Sequence, residues 1–150
     1  MLSSISAYTF VKNGMEIRWK FLSNKQLEIR LSAPTNGWLA IGFNTKSGLK
    51  GTNLIMAAIK NGEVEIEDHH IIAAGDHQKV EDLGGKNHLL EFSGTESSTE
   101  TKIIFTLNTQ ADNHHHQLKA GHEYFILLAY SRSDDFDHHS TMRTEVKLKL

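Results

Sequence analysis

Along much of the chain, apolar and polar residues alternate one by one. Ile17, Trp19 and Phe21 are separated by Arg18 and Lys20; Leu27, Ile29 and Leu31 by Glu28 and Arg30; Val146, Leu148 and Leu150 by Lys147 and Lys149. Val64 and Ile66 sit among Glu63, Glu65 and Glu67. A repeat of two is the mark of a β-strand with one buried and one wet face, because successive side chains leave opposite sides of the pleat. Two stretches, Leu54 to Ile59 and Tyr124 to Tyr130, are apolar throughout. They predict strands covered on both faces, or central strands with a ligand over one side. A buried helix gives the same run, but their lengths and the flanking Asn61-Gly62 and Gly121 favour strands. Asn61-Gly62 predicts a two-residue hairpin, whose central positions both need positive φ, and Asn13-Gly14 reads the same way. Further strands fit Trp38 to Phe43, His69 to Ala73, His88 to Phe92 and Lys102 to Leu107. The total is about nine to eleven, spaced as in a sandwich or barrel. No long helix is predicted. One helical turn fits Gln110 to Leu118, and Gly94 to Thr101 reads as a turn or exposed loop.

A chain of 150 residues fits one domain, here 1–150, large enough to bury a core without disulfides or a structural metal. A net charge of -2 with no basic patch argues against nucleic-acid binding. No apolar run approaches the roughly 18 residues that a membrane-spanning helix needs. The start, Met1 to Ser6, lacks the basic and apolar regions of a signal peptide. The absence of cysteine excludes disulfides, thiolate catalysis and cysteine-bound zinc. Ser140 lies beside His139, but there is no G-x-S-x-G elbow and no glycine-rich phosphate loop, so the chain does not read as an enzyme.

Histidine is what the composition adds. There are 10, most of them clustered at His69-His70, His77, His114-His115-His116 and His138-His139. Most read as solvated loop residues, yet imidazole is also the commonest transition-metal ligand. Asp68, His69, His70 and His77 could gather a metal, with His70 a candidate ligand. On a strand, however, Asp68 and His70 face one way and His69 the other, so a further ligand is required. Asp112 to His116 has metal-binding composition without a fixed geometry. Asp134, Asp135 and Asp137 offer oxygens to calcium but lack the EF-hand spacing, and read better as a turn.

The order of several short motifs resembles the DOMON domain family, the β-sandwich found beside dopamine β-monooxygenase and in the cytochrome part of cellobiose dehydrogenase. Gly37-Trp38-Leu39-Ala40-Ile41-Gly42-Phe43 is similar to the family's G-W-x-A-I-G-F strand. Gly48-Leu49-Lys50-Gly51-Thr52-Asn53 stands where members often read G-M-x-G-A-D or A-N. Asn61-Gly62 and Asp68 follow, and then Gly94-Thr95-Glu96 with Thr101 to Leu107, similar to a stretch common in bacterial members. The close, Ala129-Tyr130, Asp134-Asp135-Phe136, His139 and Arg143, resembles the A-Y, D-D-F, H-x-x-x-R ending.

The resemblance implies an immunoglobulin-like β-sandwich. Members that carry haem b bind its iron through a Met of the G-M-x-G loop and a His near the last strand. His139 matches the histidine, with His138 one residue away. Leu49 stands at the methionine position and has no lone pair to offer. Three alternatives follow. Another residue ligates (Lys50, since a Met/Lys pair is known in a related haem subunit, or His69, His70 or Met56); or the iron is five-coordinate; or there is no haem and the pocket takes a sugar or another small molecule, with Trp38 or Tyr130 as a stacking platform. Met56 and Trp38 also read as core. The resemblance further implies a redox partner protein and a periplasmic or secreted location, after removal of a leader absent from this sequence.

Overall fold

Antiparallel strands and one short 3-10 turn account for the regular structure of residues 8–150, the part of the chain described in the computed structural model. The strands are β1 (Tyr8–Lys12), β2 (Met15–Ser23), β3 (Gln26–Ala33), β4 (Leu39–Asn44), β5 (Asn53–Lys60), β6 (Glu63–Ala73), β7 (Asp76–Lys79), β8 (Leu89–Glu96), β9 (Thr101–Asn108), β10 (Glu123–Tyr130) and β11 (Met142–Lys149). They form a 5-stranded sheet ordered β1-β2-β3-β9-β8 and a 6-stranded sheet ordered β11-β10-β4-β5-β6-β7. The chain crosses between them, so the inner faces close on one core. Ile17, Leu27, Ile29 and Phe105 from the first sheet meet Ile41, Phe43, Ile55 and Ile126 from the second, all almost wholly buried. Of the sandwich or barrel that the strand pattern predicts, this is the β-sandwich that the resemblance implies. No helix among the described residues is long and apolar enough to cross a membrane.

Both Asn-Gly pairs form the hairpins predicted for them. Lys12 pairs with Met15 across Asn13-Gly14, and Lys60 with Glu63 across Asn61-Gly62. All four turn residues have positive φ, between 52° and 83°.

The two apolar runs are strands covered on both faces. In β4, β5 and β10 alternate residues enter the central core. The intervening ones, Ala40, Leu54, Met56, Ala58, Leu127 and Ala129, join Trp38 and Ile71 in a second apolar cluster on the outer face of the six-stranded sheet. That second cluster positions the site described below.

Three segments differ from expectation. β6 runs unbroken from Glu63 to Ala73 through the polar Asp68-His69-His70. β8 continues through Glu96, which shortens the predicted Gly94–Thr101 loop. Residues 110–118 hold no helical turn; they form an extended strap with one isolated bridge, Asp112 to His115.

Candidate functional site

A pocket of about 160 Å³ opens over the second apolar cluster. Its floor follows from strand register. Arg143, Ala129, Ala40, Met56 and Glu67 succeed one another across β11, β10, β4, β5 and β6. Leu127, Gly42, Leu54 and His69 form the next row. The small side chains of Ala40 and Ala129, at the middle of the first row, line the pocket and leave room above the sheet that larger residues would fill.

Two loops and a hairpin wall the pocket. The loop between β4 and β5 carries Leu49 and is pinned from both sides. Asn44 Nδ2 donates to the carbonyls of Gly48 and Lys50 at 3.3 and 3.0 Å. Glu145 of β11 accepts from Ser47 Oγ and the Gly48 amide at 2.6 and 2.8 Å. Gly48 and Gly51 turn the loop with φ of 108° and 86°. The loop between β10 and β11 supplies Phe136, Asp137, His138, His139 and Ser140. Asp135 builds its turn, accepting the Asp137 amide at 2.9 Å. The β6–β7 hairpin supplies Gly75, Asp76 and His77.

The candidate residues divide between this pocket and other places. His139, Leu49 and Met56 line it together, with His138 and Trp38. Met56 and Trp38 are buried in its floor, so each packs in a core and faces the pocket. Lys50 is exposed and is not among the lining residues. Tyr130 packs against the central core on the opposite side of the sheet. His70 lies outside the pocket, its Nδ1 3.2 Å from the His114 carbonyl. His77 and Arg143 also line the pocket; Arg143 belongs to the motif around His139, whereas His77 arrives from a hairpin far from His139 in sequence.

Two observations bear on what the pocket can hold. The floor is apolar, while imidazoles stand on two walls. The indole N–H of Trp38 is buried without a hydrogen-bond partner, an arrangement that native interiors rarely leave unexplained. A planar, mostly apolar group with polar or acidic edges and a metal able to take nitrogen ligands fits this donor set. His77 is held below the ordinary histidine range, first by burial and then by His69, so its neutral ring is favoured. A larger hollow of about 350 Å³ lies outside the five-stranded sheet among Glu16, Arg18, Arg30 and Lys102, but no histidine reaches it.

The strap at 112–116 builds a separate, buried network. Asp68 is fully buried and accepts from Asn53 Nδ2 at 2.6 Å, the His88 amide at 2.9 Å and His115 Nε2 at 2.6 Å. His115 Nδ1 lies 2.7 Å from Asp112 Oδ1, and His88 Nε2 lies 2.9 Å from Asp112 Oδ2. The trio His88, Asp112 and His115 is compact enough to suggest a metal centre. Two features oppose that. The two rings are stacked 3.4 Å apart and 4° from parallel, so their in-plane lone pairs do not converge on one ion. Both nitrogens of His115 also face carboxylates, which calls for two N–H donors, an imidazolium. Burial alone would lower the His115 pKa, but hydrogen bonds and charge from Asp68 and Asp112 raise it. Burial would raise Asp112, yet the His114 amide and His115 bring it down to about 2. His88 is lowered by burial and by the charge of His115.

A pH dependence follows. A histidine raised in the folded state stabilises fully below its unfolded value of about 6.5 and loses that contribution as pH rises through the folded value. The stability gap between the wild type and His115→Gln is therefore expected to narrow from pH 6 toward alkaline pH. Urea unfolding of both proteins across that range checks this; a gap that widens refutes it.

Comparison with known proteins places these features in context. The DOMON domain family model matches residues 11–131. "MOXD1 homolog 2" of Drosophila melanogaster is 22% identical over 130 residues, 87% of this chain but 17% of the relative's own length. Among solved structures, the cytochrome domain of Myriococcum thermophilum cellobiose dehydrogenase superposes with a TM-score of 0.65 at 13% identity, over 97% of this chain and 82% of that one. The cytochrome b domain of pyranose dehydrogenase from Coprinopsis cinerea gives 0.69 at 8% identity, over 97% and 87%.

Proposed function

The chain belongs to the DOMON domain family, and from that premise we propose that it is a haem-b-binding electron-transfer module whose haem sits in the outer-face pocket. The carrying observation is that His139, whose H-x-x-x-R setting resembles that of the family's ligand histidine, lines a pocket with an apolar floor and an unpartnered indole N–H. Bound haem supplies a one-electron redox centre. The residues of this chain hold and insulate it. His139 offers an imidazole nitrogen from the β10–β11 loop. Leu54, Met56, Ile71 and Leu127 exclude water and lower the local dielectric, a lever on reduction potential. Arg143, at the rim, offers a cation to an acidic edge. His138 and His139 are exposed, so an electron has a short path to a partner protein docked at that rim. The module itself catalyses nothing in this reading.

Pocket size favours a second reading. At about 160 Å³ it is below the roughly 300–1,000 Å³ of sites that enclose drug-sized ligands. Haem exceeds that enclosed volume, whereas a sugar or similarly small molecule does not.

Titration of the purified protein with haemin tests the choice. A saturable Soret band at one equivalent is expected, and His139→Ala should weaken binding roughly tenfold or more, as loss of a metal-site residue does. No saturable band, or a variant that titrates like the wild type, rejects the haem reading and leaves the small-ligand one for a sugar array.

A further inference from the structure

Leu49 removes the sulfur ligand, but another wall of the pocket carries a hydrogen-bonded imidazole, His77. His77 Nδ1 lies 2.9 Å from His69 Nδ1. His69 Nε2 lies 2.8 Å from Glu67 Oε1, and Glu67 Oε2 lies 3.3 Å from Lys79 Nζ. With both rings neutral, one set of donor and acceptor roles satisfies every contact along this chain. An ionised carboxylate only accepts, so His69 Nε2 carries the hydrogen. The neutral His69 ring then has a bare Nδ1, which only accepts, and His77 Nδ1 must donate to it. The remaining lone pair of His77 is left on Nε2. Metal-ligating histidines are oriented in just this manner, with the other ring nitrogen held as a donor by a polar partner that also fixes the tautomer.

The sheet geometry explains why the relay aims here. Glu67, His69 and Ile71 are alternate residues of β6 and share its outer face, and His77 is the register partner of Ile71 on β7. His77 and His139 thus stand on different walls of one pocket, the first on the β6–β7 hairpin and the second on the β10–β11 loop. The other sequence candidates are placed less well. Lys50 is exposed and outside the pocket, and Met56 is 2% exposed within the floor, packed among its neighbours in the strand.

We propose that His77 Nε2 replaces the family's methionine as the second iron ligand, giving a bis-histidine haem site with His139, and that His69 and Glu67 are its positioning residues. This rests on the haem reading above. It assigns a role to the Glu67–His69–His77 relay, which a structural part alone does not require to end at the pocket.

Absorption and electron paramagnetic resonance spectra of the haemin-loaded protein test it. The ferric wild type is expected to be six-coordinate and low-spin, without the far-red charge-transfer band of a methionine–iron bond. His77→Ala should keep a Soret band through His139 but become high-spin, and added imidazole should restore the low-spin form. His77→Gln, which keeps a hydrogen-bonding side chain, should behave alike and guards against a misfolded alanine variant. His69→Leu should weaken haemin binding by about 10–100-fold. In Leu49→Met/His77→Ala the methionine band should appear. A wild type with no Soret band overturns the haem reading and the proposal with it. A wild type that binds haemin, with His77 variants that remain low-spin, overturns the proposal alone.

Discussion

Asp68→Ala is expected to lower the unfolding free energy by about 3–5 kcal/mol, the cost of breaking a buried ion pair by removing one partner. Asp68 is fully buried and sits under three donors, so its loss leaves more than an empty volume. His115 keeps its charge-favouring contact with Asp112 on one nitrogen and faces a void on the other. The His88 amide loses its acceptor. Asn53 Nδ2 retains only the His69 carbonyl, 3.0 Å away. Because Asp68 links β6, the start of β8 and the 112–116 strap, its removal also frees the edge of the six-stranded sheet where His69 and His77 stand. Urea denaturation followed by the fluorescence of Trp19 and Trp38 measures the effect. A loss below about 1 kcal/mol, the size of one ordinary hydrogen bond, would mean that the network is solvated and loosely held.

The second large effect is Gly37→Ala. A methyl group there would lie 2.3 Å from the Ser131 carbonyl oxygen, 2.5 Å from the Arg132 carbonyl carbon and 2.7 Å from the Ser133 nitrogen. All three are backbone atoms and cannot rotate aside. The same contact is tied by hydrogen bonds: Trp38 N–H to the Ser133 carbonyl and Ser131 N–H to the Trp38 carbonyl at 2.9 Å, and Thr35 Oγ1 to the Ser131 carbonyl at 2.6 Å. Overpacking costs about 1–3 kcal/mol, and each bond broken adds about 1 kcal/mol. The displaced segment leads directly into the loop that carries His139. Stability and haemin affinity should therefore fall together in this variant. Unfolding and haemin titration on the same preparation check the coupling; a destabilised variant with unchanged affinity would show that the loop holds its place without Gly37.

The fold was legible where its causes are local. Alternation in β2, β3 and β11 needs only the next residue, and each Asn-Gly hairpin needs only its own pair. The six-stranded sheet was partly legible, since the unbroken apolar runs of β5 and β10 announced two covered faces. β6 was harder to read. A charged residue at Asp68 reads as a strand end until His115, 47 positions later, is seen to compensate it. The strap misled for the same reason. Asp112 to His116 has the composition of a solvated loop, yet His115 is 6% exposed, and His116 Nε2 reaches the Gly51 carbonyl at 2.8 Å. His139 was singled out by the motif that surrounds it, and it lines the pocket. The place of His77 could not be read in this way, because it depends on the register of β6 with β7 and on the tautomer of a neighbour.

The row from Arg143 to Glu67 runs from a cation, across alanine and methionine, to an anion already engaged by His69 and Lys79. A flat guest with carboxylates on one rim and hydrocarbon on the other meets unlike surroundings if it is turned end for end. Its acidic rim is favoured toward β11 and disfavoured toward β6. The floor is thus a polarised bed, and it would sort the rotational isomers of such a guest in favour of one seating.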